Sequence, residues 1–235
     1  MKYSIVIPIY NESNNISKLS NLIKKYLKNK KYEVIFVDDN SKDQTQNELK
    51  KLKYTNFKFI IRKKKRDLSQ SCVDGIKISS FKNIVIMDGD LQHHPSCLLK
   101  MIKQYEKKKS DIIVGTRKFS NIEGLNFFRK FMSQFIILLI SIFLKKKTSD
   151  PMSGFFIIKK NKFLKLEKSL YNKGFKILAD IIYTDKNLKI EDVNINFKKR
   201  KKDKSKMNLI VLIHIVILIF QKKLKTFKAF QNKII

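Results

Sequence analysis

Residues 83–92 read NIVIMDGDLQ. The stretch opens as a short run of Ile and Val and closes on alternating acidic and amide side chains. So short and apolar a run suits a strand buried on both faces, as in a parallel sheet covered by helices. Outward from this run (Asn83–Asp88), similar ones stand at Tyr3–Ile9, Glu33–Val37, Phe57–Ile61 and Asp111–Gly115. Between them lie helix-like stretches at 14–29, 43–53, 69–80 and 95–108. In the first, Ile16, Leu19, Leu22, Ile23 and Leu27 recur at helical spacing, and the last begins at Pro95. Strand alternating with helix predicts an α/β fold: a doubly wound, mainly parallel sheet that binds ligands beyond its strand C-termini. The GxGxxG fingerprint is absent, which argues against a dinucleotide-binding dehydrogenase.

In extended chain, side chains at i, i+2 and i+4 share a face. Asp88, Asp90 and Gln92 are therefore expected to present two carboxylates and an amide oxygen to one point. These hard donors suit Mg2+ or Mn2+ rather than zinc. Paired carboxylates without a cation repel each other. A divalent ion bridging to a diphosphate removes that conflict and stabilises a departing nucleoside diphosphate. A lone DxD is common at turns; the preceding strand, Gln92 and the His93-His94-Pro95 that follows sharpen the reading. His93 and His94 themselves are expected to shape the turn.

A second acidic cluster, Val37 to Thr45, also follows an apolar strand. Asp39 is expected to accept from a ribose or base, and Ser41 or Asp43 to cap the next helix. After the first strand, Tyr10 can flank a base and Glu12 accept from it. Read alone, that segment is an ordinary strand-to-helix turn.

The chain has 235 residues, enough for one α/β domain with a small appendage. Its only cysteines, Cys72 and Cys97, lack CxxC spacing, which fits burial in a reducing compartment. The net charge is +32. Nucleic-acid binders, proteins on anionic bilayers and Lys-rich solvated surfaces all show such a balance. Here the basic runs (Lys63–Arg66, Lys107–Lys109, Lys145–Lys147 and Lys198–Lys202) are scattered, without interleaved aromatics, so no nucleic-acid partner is expected. The opening run Ser4–Ile9 contains Pro8 and leads into polar Asn11-Glu12-Ser13, unlike a signal peptide. No apolar run reaches the roughly 18 residues of a membrane span. The active part is expected at the cytoplasmic face of a membrane.

Residues 119–235 differ in character. Phe131–Leu144 and Met207–Phe220 are strongly apolar. Each is about 21 Å long as a helix, short of the roughly 30 Å hydrocarbon core. Lys145–Lys147 and Lys222–Lys223 follow them directly, and Leu224, Phe227 and Phe230 stand among Lys225 and Lys228. That composition suits helices lying at, or partly inserted into, an anionic bilayer surface. Burial in a core is the competing reading, and His214 fits either.

Together, Pro8-Ile9-Tyr10-Asn11-Glu12, the VDDNSKDQT of 37–45 and the DGD of 88–90 resemble the family-2 glycosyltransferases, which have the GT-A fold. Later segments narrow the likeness. Gly115-Thr116-Arg117, Arg129 with Ser133, the DPMSGFF of 150–156, Gly174-Phe175-Lys176-Ile177, and Phe197 with Arg200, Ser205 and Lys206 look like dolichol-phosphate mannosyltransferases. The resemblance implies that Pro8, Tyr10, Glu12, Val37 and Asp39 hold the nucleoside. Asp88, Asp90 and Gln92 would hold the metal, with Gly89 against the donor. Asp90, Arg117, Arg129 and Ser133 would form the catalytic centre, Arg117 where the donor and acceptor phosphates meet and Arg129 and Ser133 on the lipid phosphate. Arg200 and Lys206 would close over the donor diphosphate. Three departures stand out. The family's Gly-Leu-Ser turn after the third strand reads Arg66-Asp67-Leu68-Ser69. The VDDGS glycine is Asn40, a residue tolerated at positive φ. The late Gly-Glu-Ser-Lys reads Asp203-Lys204-Ser205-Lys206.

The implied division is a nucleotide-sugar and metal half (1–118), an acceptor-phosphate half (119–206) and a membrane-interfacial tail (207–235). The implied partners are a nucleotide-sugar, GDP-mannose favoured, a polyprenyl or dolichyl phosphate, and an anionic membrane surface. Transfer of glucose or another sugar from UDP is the nearest alternative. A basic nucleic-acid binder and a non-catalytic membrane scaffold are the alternatives outside this class.

Overall fold

Strands form where Ile, Val and Phe follow one another, and the inner strands of the sheet are buried along most of their length. The computed structural model describes residues 1–117, 138, 147–171, 174, 177–185, 187–196, 217 and 220. Within these the order is β1 (Lys2–Ile9), α1 (Ser13–Leu27), β2 (Lys31–Asp38), α2 (Thr45–Lys50), β3 (Phe57–Ile61), α3 (Leu68–Ile78), β4 (Asn83–Ile86), α4 (Ser96–Lys108) and β5 (Ile112–Arg117). Then come β6 (Phe156–Lys159), α5 (Lys160–Leu166), α6 (Ile177–Thr184) and β7 (Ile190–Ile195).

The strands form one sheet in the order β3-β2-β1-β4-β6-β5-β7. All neighbours run parallel except β6, which is antiparallel to β4 and to β5. Alternate residues feed two apolar layers, as the pleat requires. Val6, Ile35, Ile84 and Phe156 pack with α3, α5 and α6. Ile5, Ile7, Phe36 and Val85 pack with α1 and α4 on the other face. Burying each such side chain contributes about 1.5–3 kcal/mol. Cys72 and Cys97 are buried free thiols, one in each layer.

The chain reverses direction across the sheet at β1, with β2 and β3 to one side and β4 to the other. In open α/β sheets the crevice beyond such a switch point receives the ligand.

Several boundaries differ from the sequence reading. The helix expected over 43–53 is confined to Thr45–Lys50. Pro95 sits at the N-cap of α4 rather than inside its first turn. Strand β4 ends at Ile86, not Asp88. The Met87 N–H still donates to Val6 O at 3.1 Å, after which the chain turns, with Leu91 at φ 63°.

Arg129, Ser133, Arg200 and Lys206 lie outside the described residues. So do the apolar stretches 131–144 and 207–220, apart from Leu138, Ile217 and Phe220. These three are helical and exposed by 52%, 36% and 64%. Among the described residues no helix is long and apolar enough to cross a membrane.

Candidate active site

A cavity of about 200 Å³ opens beyond the C-terminal ends of β1, β2 and β4. Strand β1 delivers Pro8, Ile9 and Tyr10 to its wall and then Glu12. The loops after β1 and β2 are stitched together. Asn11, at φ 55°, donates its N–H to Ser41 Oγ at 2.8 Å, and its Oδ1 accepts from the Lys42 N–H at 2.8 Å. The Glu12 N–H donates to Thr45 Oγ1 at 2.8 Å, and its carboxylate accepts from Asn15 Nδ2 at 2.6 Å.

The two carboxylates at the end of β2 play separate roles. Asp38 is fully buried and holds the turn, accepting from the N–H and hydroxyl of Ser41 and from Gln46 Nε2. Asn40 occupies the left-handed region at φ 60°, where a short polar side chain costs little. Asp43 satisfies the first N–H of α2, accepting from Thr45 N at 3.0 Å. Asp39 lines the cavity. Its Oδ1 pairs with Arg62 and its Oδ2 accepts from the Asp67 N–H at 2.8 Å. Burial pushes the Asp39 carboxyl above its ordinary range, and the Arg62 guanidinium pulls the other way. Arg62 reaches on to Asp74 through Nε at 2.8 Å.

After β4 the side chains do not converge by pleat alternation. The bend at Leu91 takes Gln92 out of the extended register, and the Gln92 N–H donates to Asp90 Oδ1 at 3.0 Å. Asp88, Gly89, Asp90 and Gln92 all nonetheless line the same cavity. Two contacts fix this turn. A Cβ at Gly89 would come within 2.5 Å of Ile9 Cγ2, and a Cβ at Gly154 would fall on the Asp88 carboxylate. Gly154 belongs to the DPMSGFF segment, which Ser153 ties to β5 by donating to Gly115 O at 2.6 Å. His93 is buried, 3.6 Å from Asp88 and against Phe155. His94 bonds Ser96 at 2.8 Å.

Two carboxylates and an amide on one cavity suit a hard divalent cation that keeps coordination positions for water and phosphate. Among the described residues no group of three or more His, Cys, Asp and Glu is placed to hold a metal ion, so a cation here would need Gln92 and substrate or water oxygens beside Asp88 and Asp90.

Val37 does not reach the cavity with its side chain. It is fully buried, and a Cβ at Gly75 of α3 would stand 2.9 Å from its Cγ2. Arg117 is the last residue of β5. Asp150 is buried in the turn that precedes Gly154, and its carbonyl accepts from the Ser153 N–H at 3.1 Å.

Residues given no site role from the sequence complete the wall. Arg66, Leu68 and Ser71 line the cavity, and the Arg66 guanidinium lies 4.3 Å from the Tyr10 ring centroid, a cation–π contact of about 0.5–2 kcal/mol. Arg62 was hidden in the sequence, because its place beside Asp39 follows from the parallel register that sets Ile61 opposite Asp38.

The family described as Glycosyl transferase family 2 matches residues 4–166. The chain belongs to that family. The dolichol-phosphate mannosyltransferase of Pyrococcus furiosus is 38% identical over 203 residues, covering 84% of this chain and 56% of the relative. That of Saccharomyces cerevisiae is 30% identical over 191 residues, covering 77% of this chain and 70% of the relative. This chain thus spans little more than half the length of the Pyrococcus protein. Glucosyl-3-phosphoglycerate synthase of Mycobacterium tuberculosis, solved with Mn2+, UDP-glucose and phosphoglyceric acid, superposes with a TM-score of 0.72 at 14% identity. The match covers 94% of this chain and 79% of that one. At that identity the likeness is one of fold, the GT-A arrangement.

Proposed function

We propose that this family-2 member transfers a sugar, mannose from GDP-mannose, to a dolichyl or polyprenyl phosphate at the cytoplasmic face of a membrane. One observation carries the reading: the acidic turn after β4 meets Tyr10, Glu12 and Asp39 in one cavity at the sheet's switch point. The names of the two mannosyltransferase relatives support mannose as the sugar and dolichyl phosphate as the acceptor.

Pro8, Tyr10, Glu12 and Asp39 hold the nucleoside, with Val37 buried beside Pro8, and Gly89 lies against the donor. Asp88, Asp90 and Gln92 hold Mg2+ or Mn2+. When bound, the ion supplies positive charge against the departing diphosphate. The acceptor phosphate monoester has a second pKa of about 6 by analogy with phosphoamino acids, so it is ionised near neutral pH. It needs no general base. A phosphate oxygen forms a bond to the anomeric carbon as the bond from that carbon to the diphosphate oxygen breaks, and the electron pair leaves with the nucleoside diphosphate. The sugar inverts, and no enzyme-bound sugar forms. Arg117 sits where the donor and acceptor phosphates meet, Arg129 and Ser133 receive the lipid phosphate, and Arg200 and Lys206 close over the donor. The positive charges of Arg117, Arg129 and Lys206 offset the repulsion between two anionic substrates.

The test is a panel of labelled GDP- and UDP-sugars incubated with the protein, membranes and Mn2+. The UDP arm is included because the Mycobacterium neighbour was solved with UDP-glucose. Label from GDP-mannose should appear in the organic phase. Asp88→Ala should abolish transfer while leaving the circular dichroism spectrum unchanged. Full activity in that variant would remove the cation site, and label from a UDP-sugar alone would reassign the donor.

A further inference from the structure

We propose that Asp67 is a positioning residue with a divided role, in which its main chain serves the nucleotide side of the pocket and its side chain pins the acceptor half to the pocket wall. The inference rests on the reading above that residues 119–206 take the acceptor.

The turn from Arg66 to Ser71 touches three things at once. Arg66, Leu68 and Ser71 line the cavity. The Asp67 N–H donates to Asp39 Oδ2 at 2.8 Å, and the Asp67 carbonyl accepts from Arg62 Nη1 at 3.3 Å and from Ser71 Oγ at 3.0 Å. The carboxylate faces elsewhere. Oδ1 caps α3 by accepting from the Gln70 N–H at 3.0 Å. Oδ2 accepts from the Gly174 N–H at 2.7 Å. The Ser69 N–H donates to the Gly174 carbonyl at 2.9 Å. The start of α3 thus takes both main-chain polar groups of Gly174.

Gly174 sits at φ 84°, a conformation that favours glycine. Soon after it comes α6, buried from Ile177 to Tyr183. Asp67 therefore joins the nucleotide pocket to the point from which α6 departs. Residue 67 stands where the family's turn carries glycine. Glycine would keep the N–H that Asp39 needs but has no acceptor for the Gly174 N–H. A carboxylate is the stronger acceptor, as the 2.7 Å distance reflects.

The experiment uses the full chain with Asp67→Gly and Asp67→Asn. Transfer is measured while donor and polyprenyl phosphate are varied separately, and amide exchange is followed by mass spectrometry on the same proteins. Asp67→Gly should raise the acceptor KM about tenfold and leave the donor KM within about twofold. Exchange should quicken over 174–184, while the segment around Asp39 keeps its protection. Asp67→Asn retains one side-chain oxygen acceptor for the two N–H donors of Gln70 and Gly174 and should give an acceptor KM between those of wild type and Asp67→Gly. Donor and acceptor KM rising together, or an unmoved acceptor KM beside faster exchange at Gly174, overturns the divided role. If the wild-type protein transfers no sugar from any donor, the functional reading fails and takes the kinetic role with it. Exchange then decides the anchor, and unchanged protection at Gly174 in Asp67→Gly overturns that as well.

Discussion

Gly154 lies where any side chain would collide with the Asp88 carboxylate. Gly154→Ala must displace the Asp88 carboxylate, because the intruding methyl falls on both of its oxygens and its carboxyl carbon. Overpacking of this kind costs about 1–3 kcal/mol. Transfer should fall about a hundredfold or more, roughly 3 kcal/mol of lost transition-state stabilisation, with donor affinity falling beside it. Calorimetric titration of GDP in Mn2+ checks this, and wild-type affinity would show that Asp88 tolerates the shift. Arg62 poses the opposite problem. It is nearly inaccessible and pairs with Asp39 and Asp74. Arg62→Ala leaves buried carboxylate charge uncompensated, at a cost of about 3–5 kcal/mol. Urea unfolding should show that loss, and a change below about 1 kcal/mol would mean the pair behaves as a surface ion pair.

Among the elements, the pattern of short Ile-, Val- and Phe-rich runs was enough to locate β1 to β5 and the helices between them, because strands such as β1 and β4, buried on both faces, leave little else to read. The turn after β4 was harder. Its residues were legible as metal ligands, but their geometry was not, since nothing local announces that Leu91 takes a left-handed φ at a cost of about 1–2 kcal/mol. The part played by Gly154 was equally hidden. It depends on β6 entering beside β4, a pairing of segments distant in sequence.

The opposite, N-terminal end of the strands offers a pH test at the same scale. Glu33 on β2 is largely buried, which by itself raises its carboxyl pKa. Hydrogen bonds from Lys58, Ser4 and the Ser80 N–H outweigh that and hold it below the ordinary value. A depressed folded-state pKa gives stability that is fully present above the unfolded value of about 4.3 and lost as pH falls through the folded one. Glu33→Gln should therefore cost about 1–3 kcal/mol at neutral pH. The gap from wild type should close in acid below that window. A gap independent of pH would assign the effect to packing.

For the whole molecule, the dominant quantity is a net charge of +32. Each Lys or Arg near an anionic bilayer contributes about 1 kcal/mol, and the helical residues Leu138, Ile217 and Phe220 expose apolar side chains. Retention on phosphatidylserine vesicles should weaken at least about tenfold as salt rises, because the screening length falls from about 30 Å at 0.01 M to about 3 Å at 1 M. Equal retention on neutral vesicles would assign the attachment to apolar contact alone.

The place of β6 has a consequence for synthesis. It lies between β4 and β5, antiparallel to both, so β4 has one bare flank until Phe156 has left the ribosome. Up to then the emerging polypeptide already carries every acidic side chain of the pocket. It also presents unzipped main-chain hydrogen-bonding groups along an Ile-rich edge, the kind of surface that recruits neighbouring chains. That edge of β4 stays open from the emergence of Ile86 until Phe156–Lys159 emerge to pair with it.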